Sequence, residues 1–429
     1  MFAASNDSDL SKTTTHKVVL PFYIYAALSF LVATVLSFTS SEVFTQHYFH
    51  PHTLAITHLM TLGWGTMIIL GASHQLLPVL IEGRLSSITL AHLSFVFAAI
   101  GIPLLVCAFY TFKLNWHAQA GAILINAAVV SFLVNVSRSI AESKNENVHA
   151  IFMFTAAIWL LITTLVGGLM VYNFSHNILP ADSLHYLSLH AHIGIVGWFL
   201  LLVVGVGSRL IPMFLISKYD NRKLLWRIYI LMNAGLVMFI LLFVYSCIAW
   251  LYLLPVALIA AALFLFGFYC YKCYSERIRK QVDEQMKISL ISVLMMIVPL
   301  VFLIILILLM LISTANTSLV VAYGFTIFFG WLTAIIIGMT FKTLPFIVWN
   351  KVYHAKAGMA KTPNPKDLFS DKLFKSAAFS YLAGFSLFAA GIVLPNIILI
   401  KCGALLLLCC AFVYNANVFK VLFHKPGAQ

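Results

Sequence analysis

Residues 57–79 read THLMTLGWGTMIILGASHQLLPV. No Asp, Glu, Lys or Arg interrupts this run, and a helix needs about 20 such residues to cross the hydrocarbon core of a bilayer. The pattern returns twice: residues 191–213 read AHIGIVGWFLLLVVGVGSRLIPM and residues 324–346 read GFTIFFGWLTAIIIGMTFKTLPF. Each copy has Gly-Trp, a second Gly eight residues after the first, and a Pro seven residues later. The positions are Gly63, Trp64, Gly71 and Pro78; Gly197, Trp198, Gly205 and Pro212; Gly330, Trp331, Gly338 and Pro345. Successive copies are offset by 134 and 133 residues. Three copies in register at near-equal spacing denote an internal repeat, which sets the architecture before any other feature is read. Glycines let neighbouring membrane helices approach closely, and a Pro near the end of a span stops or kinks the helix cheaply.

Outward from these three segments the composition is uniform. Of 429 residues 62% are hydrophobic and 9% are charged, against roughly a quarter charged in a soluble domain. A soluble enzyme and a disordered chain are excluded. Apolar segments fall at 19–40, 53–80, 85–110, 118–138, 149–172, 187–215, 224–245, 247–270, 288–312, 316–345, 374–394 and 397–418. Backbone groups in hydrocarbon must be satisfied within the chain, and segments this long read as helices. The expected fold is an all-α polytopic membrane protein with twelve transmembrane helices in three pseudo-symmetric four-helix repeats. The repeats span 18–140, 148–272 and 286–418, flanked by tails at 1–17 and 419–429.

The basic residues orient this frame, because inner loops carry the excess of Lys and Arg. With the N-terminus inside, 24 of the 26 basic residues lie in the tails, inner loops or inner helix ends, leaving only Lys113 and Lys401 outside. Both termini are then cytoplasmic, and the expected location is the cell inner membrane, multi-pass. The start, MFAASNDSDLSKTTTHK, lacks the pattern of a cleaved signal. The net charge of +13 reports topology; it is not a nucleic-acid surface, so the expected partners are the lipid bilayer and another membrane subunit or electron donor.

Fifteen histidines are sorted by this topology. His58 and His192 hold the same repeat position, five residues before Gly-Trp, and Phe325 holds it in the third copy. An imidazole inside a membrane is costly without a partner, and neutral imidazole is a ligand for haem iron and copper. The competing reading is a hydrogen-bonded packing histidine. His190 lies about 200° around the helix from His192, so the two do not share a face, whereas His185 could sit two turns above His192. His47, His50 and His52 form an outer group that reads as a metal site, a haem propionate rim or a solvated loop. His74 and His92 could meet near the inner face. His74 is about 24 Å down the helix from His58, too far to share one cofactor.

Twelve helices, three repeats and an outer-side histidine on the second helix resemble subunit I of the haem–copper oxidase and nitric oxide reductase superfamily. The stretch at 57–79 is most similar to the branch with the cbb3-type oxidases. The resemblance covers about residues 18–418. It implies haem b, with His58 as an axial ligand. It implies His192, or His190, as the remaining ligand of a copper or non-haem iron. Together with His185 these form the candidate metal group. The resemblance also marks departures. The histidines expected on the seventh helix are absent from 224–245, and those of the tenth are absent from 316–345. The usual dioxygen-reducing centre is therefore not expected. Nor is a carboxylate proton path, since Glu42, Glu82 and Asp182 lie near span ends. A further family, implicated in nitric oxide tolerance, has twelve spans with haem and copper and is similar in outline only.

The function expected is that of a haem-binding membrane protein, with or without a second bound metal, acting in electron transfer or in binding or reducing a diatomic gas such as nitric oxide or dioxygen. If it is an enzyme, it is an oxidoreductase. The alternatives are a haem or metal transporter, lined by residues such as Asn126, Asn135, Thr163, Thr164 and Asn233, and a non-catalytic subunit. Cys270 and Cys273 form CYKC at a helix end, a weak redox or metal motif, and no CxxCH for covalent haem is present.

Overall fold

Among the described residues, twelve helices are long and apolar enough to cross a membrane: α1 (His16–Thr39), α2 (Pro51–Leu80), α3 (Ile88–Thr111), α4 (Trp116–Ala141), α5 (Val148–His176), α6 (Leu187–Leu215), α7 (Arg222–Val244), α8 (Ala249–Ser275), α9 (Glu284–Leu311), α10 (Thr317–Tyr353), α11 (Asp371–Val393) and α12 (Ile397–Leu422). The computed structural model describes residues 14–143, 147–312, 316–354 and 362–425. Among these there is no strand, only an isolated antiparallel bridge between Ser217 and Arg277. The protein is thus all-α and polytopic, and a lipid bilayer surrounds it.

Short polar residues start the helices. Ser87, Asn115, Asn147, Asn221, Asp283, Asn316, Ser370 and Asn396 each accept a backbone N–H of the first turn that has no partner within the helix. Phe112, Asn177 and Ile216 end α3, α5 and α6 in the left-handed conformation, which turns the chain so that its last carbonyls are met by following N–H groups.

Several boundaries differ from expectation. α1 begins at His16 and α12 runs to Leu422; residues 1–13 and 426–429 of the two tails lie outside the described residues. Pro345 does not end α10, which continues to Tyr353. An X-Pro step costs a helix one hydrogen bond, and beyond it Trp349 donates its indole N–H to the Pro363 carbonyl (2.6 Å), anchoring the extra turns.

The chain divides into two compact units. The first comprises Met1–Pro21, Ile69–Gln281 and Leu303–Ala315. In it α3 and α4 touch backbone to backbone: a Cβ on Gly121 would lie 2.8 Å from the Leu105 nitrogen and 2.9 Å from the Gly101 carbonyl oxygen. Asn135 of α4 brackets the start of α3, accepting the Ser87 N–H (2.9 Å) and donating to the Ser87 carbonyl (2.8 Å). Phe132 of α4 meets Trp198 of α6 edge-on.

The second unit comprises Phe22–Ile68, Val282–Phe302 and Asn316–Gln429. Its core is aromatic. Trp64 stacks on Phe30 at 4.6 Å and meets Tyr414 edge-on at 5.3 Å. Asn417 of α12 brackets the start of α11 through both backbone groups of Ser370 (2.8 and 3.0 Å). The Asn135–Ser87 clamp of the first unit therefore has a counterpart between the third and fourth helices of the third sequence copy. The Phe132–Trp198 contact likewise has its counterpart in Tyr414–Trp64.

Candidate functional site

Each Gly-Trp motif lies in a π-helical segment. These are Leu59–Thr66 in α2, Ile193–Leu200 in α6 and Thr326–Leu332 in α10. A π-turn inserts one residue and shifts the hydrogen-bond register, leaving backbone carbonyls poorly paired; such turns gather at functional sites. His58, His192 and Phe325 are the residues immediately before the three segments. The sequence motif thus marks a local break in the α-helix, and the repeat position of interest sits at its mouth.

The two histidines there are held alike. The His58 Nδ1 donates to the Leu54 carbonyl (2.8 Å), and the His192 Nδ1 donates to the Ser188 carbonyl (2.7 Å). A carbonyl only accepts, so each Nδ1 carries the proton and each Nε2 carries the lone pair. A metal-ligating histidine is commonly fixed through a hydrogen bond from its other nitrogen to a backbone carbonyl, which sets the tautomer and makes the ligating nitrogen more basic. Both rings are half-buried. The donor chemistry at both positions fits an axial ligand to haem iron.

The surroundings of His58 and His192 are built within separate units. In the first unit the His192 ring lies 5.0 Å from Phe239 of α7. His190 points to α5 instead, donating from Nδ1 to the Thr163 carbonyl (3.1 Å). Its ring covers Gly167, where a Cβ would lie 2.8 Å from the imidazole. His185 is exposed beyond the start of α6, its ring 5.2 Å from Phe243. These three histidines face different neighbours and are not brought to one point. Among the described residues no group of three or more His, Cys, Asp or Glu side chains could hold a metal ion. The three-histidine arrangement does not fit a metal centre.

In the second unit, a Cβ on Gly63 would meet the Ser29 side chain at 2.8 Å, so the glycine lets α1 close on the π-segment. The Trp64 indole donates to the Thr333 hydroxyl (3.1 Å), which itself donates to the Phe328 carbonyl (2.6 Å). Tyr381 donates to the Gly330 carbonyl (2.6 Å). The Tyr381 hydroxyl is a second donor to the Gly330 carbonyl, which also accepts the Thr333 N–H. Phe325 stands where the other copies have histidine, stacked on Phe388 at 4.4 Å and Phe329 at 4.9 Å. Packed rings fill the third position. Periodicity could not have revealed this cluster, because Phe44, Phe325 and Phe388 come from three distant segments.

The remaining candidates serve structure. His50 accepts the His52 N–H at Nδ1 (3.2 Å) and caps α2, and His47 accepts the Phe49 N–H the same way (3.2 Å). Their Nδ1 atoms are acceptors, the reverse of His58 and His192. His74 turns its ring toward the Leu70 carbonyl and meets Phe132 edge-on, within electrostatic reach of His92. Asn126 and Thr164 bond each other across α4 and α5, Thr163 bonds the Trp159 carbonyl, and Asn233 accepts the Trp159 indole N–H. Cys270 and Cys273 are buried, unbridged thiols.

No protein-family model matches this chain, and no curated protein matches it.

Proposed function

We propose that this protein is a haem-binding membrane protein with an oxidase subunit I-like frame, acting in electron transfer or in binding or reducing a diatomic gas. The observation that carries the reading is the paired arrangement of His58 and His192. Two histidines at one repeat position, each at the mouth of a π-segment, each have Nδ1 tied to the carbonyl four residues back. Haem, when bound, supplies an iron that exchanges an electron or takes up a small gas molecule. The chain's own part is to hold the ligand nitrogen. The Leu54 carbonyl fixes the His58 ring and its tautomer, so Nε2 is presented without a proton to lose. His192 does the same with Ser188. We read the three sequence copies as pseudo-symmetric repeats of this frame, and the distribution of Lys and Arg supports an inner-membrane orientation with both termini cytoplasmic.

The polar groups that could have lined a transport path in the first unit are bonded to backbone or to one another, which favours the redox reading over transport. The test is optical. Protein made with haem supplied should show a Soret band that sharpens on reduction. His58→Ala should lose or displace it, while His74→Ala should not. Colourless, metal-free wild-type protein would sink the proposal. Carbon monoxide or nitric oxide added to reduced protein separates gas binding, which shifts the band, from electron transfer through a fully ligated iron, which does not.

A further inference from the structure

In the first unit the chain after α6 and the chain after α8 are tied together. Ile278 donates its N–H to the Ile216 carbonyl (3.0 Å), and Ser217 bridges Arg277 in antiparallel register. Arg277 locks its own loop: its guanidinium donates to the Tyr274 carbonyl (2.6 Å) and lies 3.9 Å over the Tyr274 ring. The joined segments, 209–227 and 272–280, contain nine basic residues and two acidic ones, Asp220 and Glu276. Lys218, Arg222, Lys223, Arg227, Arg279 and Lys280 are exposed. Asp220 pairs with Arg222 at 3.7 Å, with both side chains mostly in solvent, so this pair neutralises little.

The excess charge sits directly beside exposed apolar and aromatic groups. Ile216 and Ile278, whose backbones are bonded to each other, are 52% and 58% exposed, and Trp226 and Tyr271 are exposed on the adjoining turns of α7 and α8. Trp and Tyr mark the headgroup level of a bilayer, and basic clusters at the end of membrane helices attract anionic headgroups. Orientation requires basic residues near a span end. It does not require two loops to be bonded into one ordered plate with an apolar floor.

We propose that this plate binds the phosphodiester headgroup of an anionic glycerophospholipid. Lys218 comes from the chain after α6, Lys223 from the first turn of α7, and Arg279 and Lys280 from the chain after α8, and Ile216 and Ile278 seat against the upper acyl chains. The site is independent of any haem.

The test uses the full-length protein in neutral detergent, titrated with phosphatidylglycerol or phosphatidylcholine. Retained lipid is counted by native mass spectrometry, and unfolding is followed by tryptophan fluorescence. Phosphatidylglycerol should be retained and should raise the unfolding midpoint; phosphatidylcholine should do neither. One Lys near an anionic surface is worth roughly a fivefold change in partition. The variant Lys218→Gln, Lys223→Gln, Arg279→Gln, Lys280→Gln should therefore bind at least about tenfold more weakly. Lys372→Gln with Lys375→Gln, on α11, should bind as wild type. If the four-site variant folds poorly, Lys218→Arg with Lys223→Arg keeps the charge and should retain the lipid. Equal retention of the two lipids, or undiminished retention by the four-site variant, overturns the proposal. So does displacement by millimolar inorganic phosphate that alone reproduces the stabilisation, since the plate would then recognise a soluble anion.

Discussion

Gly403 offers a measurement of how tightly the aromatic filling of the third π-segment is set. A methyl group placed on Gly403 of α12 would lie 2.5 Å from the Phe388 backbone nitrogen and 2.7 Å from its Cα. Ordinary contact begins at 3.4 Å, so Gly403→Ala requires α11 to move by about 0.9 Å, and the obstacle is backbone with no rotamer to yield. Ala is the better helix former by about 1 kcal/mol. Overpacking of this kind costs about 1–3 kcal/mol and occasionally more. The net effect should be destabilisation of up to about 2 kcal/mol, toward the upper end because the obstacle is backbone. Gly267 of α8 is the internal control, because a Cβ there meets nothing within 4 Å. Gly267→Ala should be neutral or stabilise by up to about 1 kcal/mol. Reversible unfolding in mixed micelles, followed by tryptophan fluorescence, compares the two directly. The displacement has a second consequence, because Phe388 stacks on Phe325 at 4.4 Å. Hydrogen exchange of the backbone N–H groups at 325–332 should rise in Gly403→Ala and stay unchanged in Gly267→Ala. If Gly403→Ala is as stable as Gly267→Ala, the close α11–α12 approach is not a constraint and the reasoning fails.

Tyr381→Phe removes one of two donors to the Gly330 carbonyl, which keeps the Thr333 N–H, so it should cost about 0.5–1.5 kcal/mol and raise exchange in the α10 π-segment; unchanged exchange would refute that role. Lys342 and Asp283 form a partly buried ion pair, with side chains 11% and 25% exposed. Lys342→Met or Asp283→Asn alone should destabilise by about 1–3 kcal/mol, below the figure for a fully buried pair, and the double variant should recover part of the loss; a strictly additive double variant would show that the two are not coupled. Neutral His50 caps α2 by accepting the His52 N–H, and burial together with the charge of His52 holds its pKa below 6.5. A depressed histidine pKa favours the neutral folded form, so the cap is fully present above pH 6.5 and is lost as pH falls through the lower folded value. Protection of the His52 amide, taken relative to its intrinsic exchange rate at each pH, should fall between pH 7 and 5, and that fall should vanish in His50→Ala.

The twelve spans and their ends were readable one segment at a time. In a membrane each helix satisfies its own backbone, so length and apolarity suffice, and helix starts such as Asn147 and Ser370 carry their caps within three residues. The even spacing of Gly63, Gly197 and Gly330 is likewise a property of the sequence alone. The sequence also placed His58 and His192 at one repeat position. What it could not contain was their state. In α10 the side chains that bond the π-segment and its edge come from far along the chain: Tyr381 lies 51 residues from Gly330, and the Trp64 indole that holds the Thr333 hydroxyl lies 269 residues away. The neighbours of His185, His190 and His192 were out of the sequence's reach for a related reason. Helical spacing fixes an angle around one helix, whereas α5 and α7 decide which partner waits at that angle. Local hydrogen bonding and solvent preference wrote the spans into the sequence; the choice among registers, tautomers and neighbours was left to packing between helices.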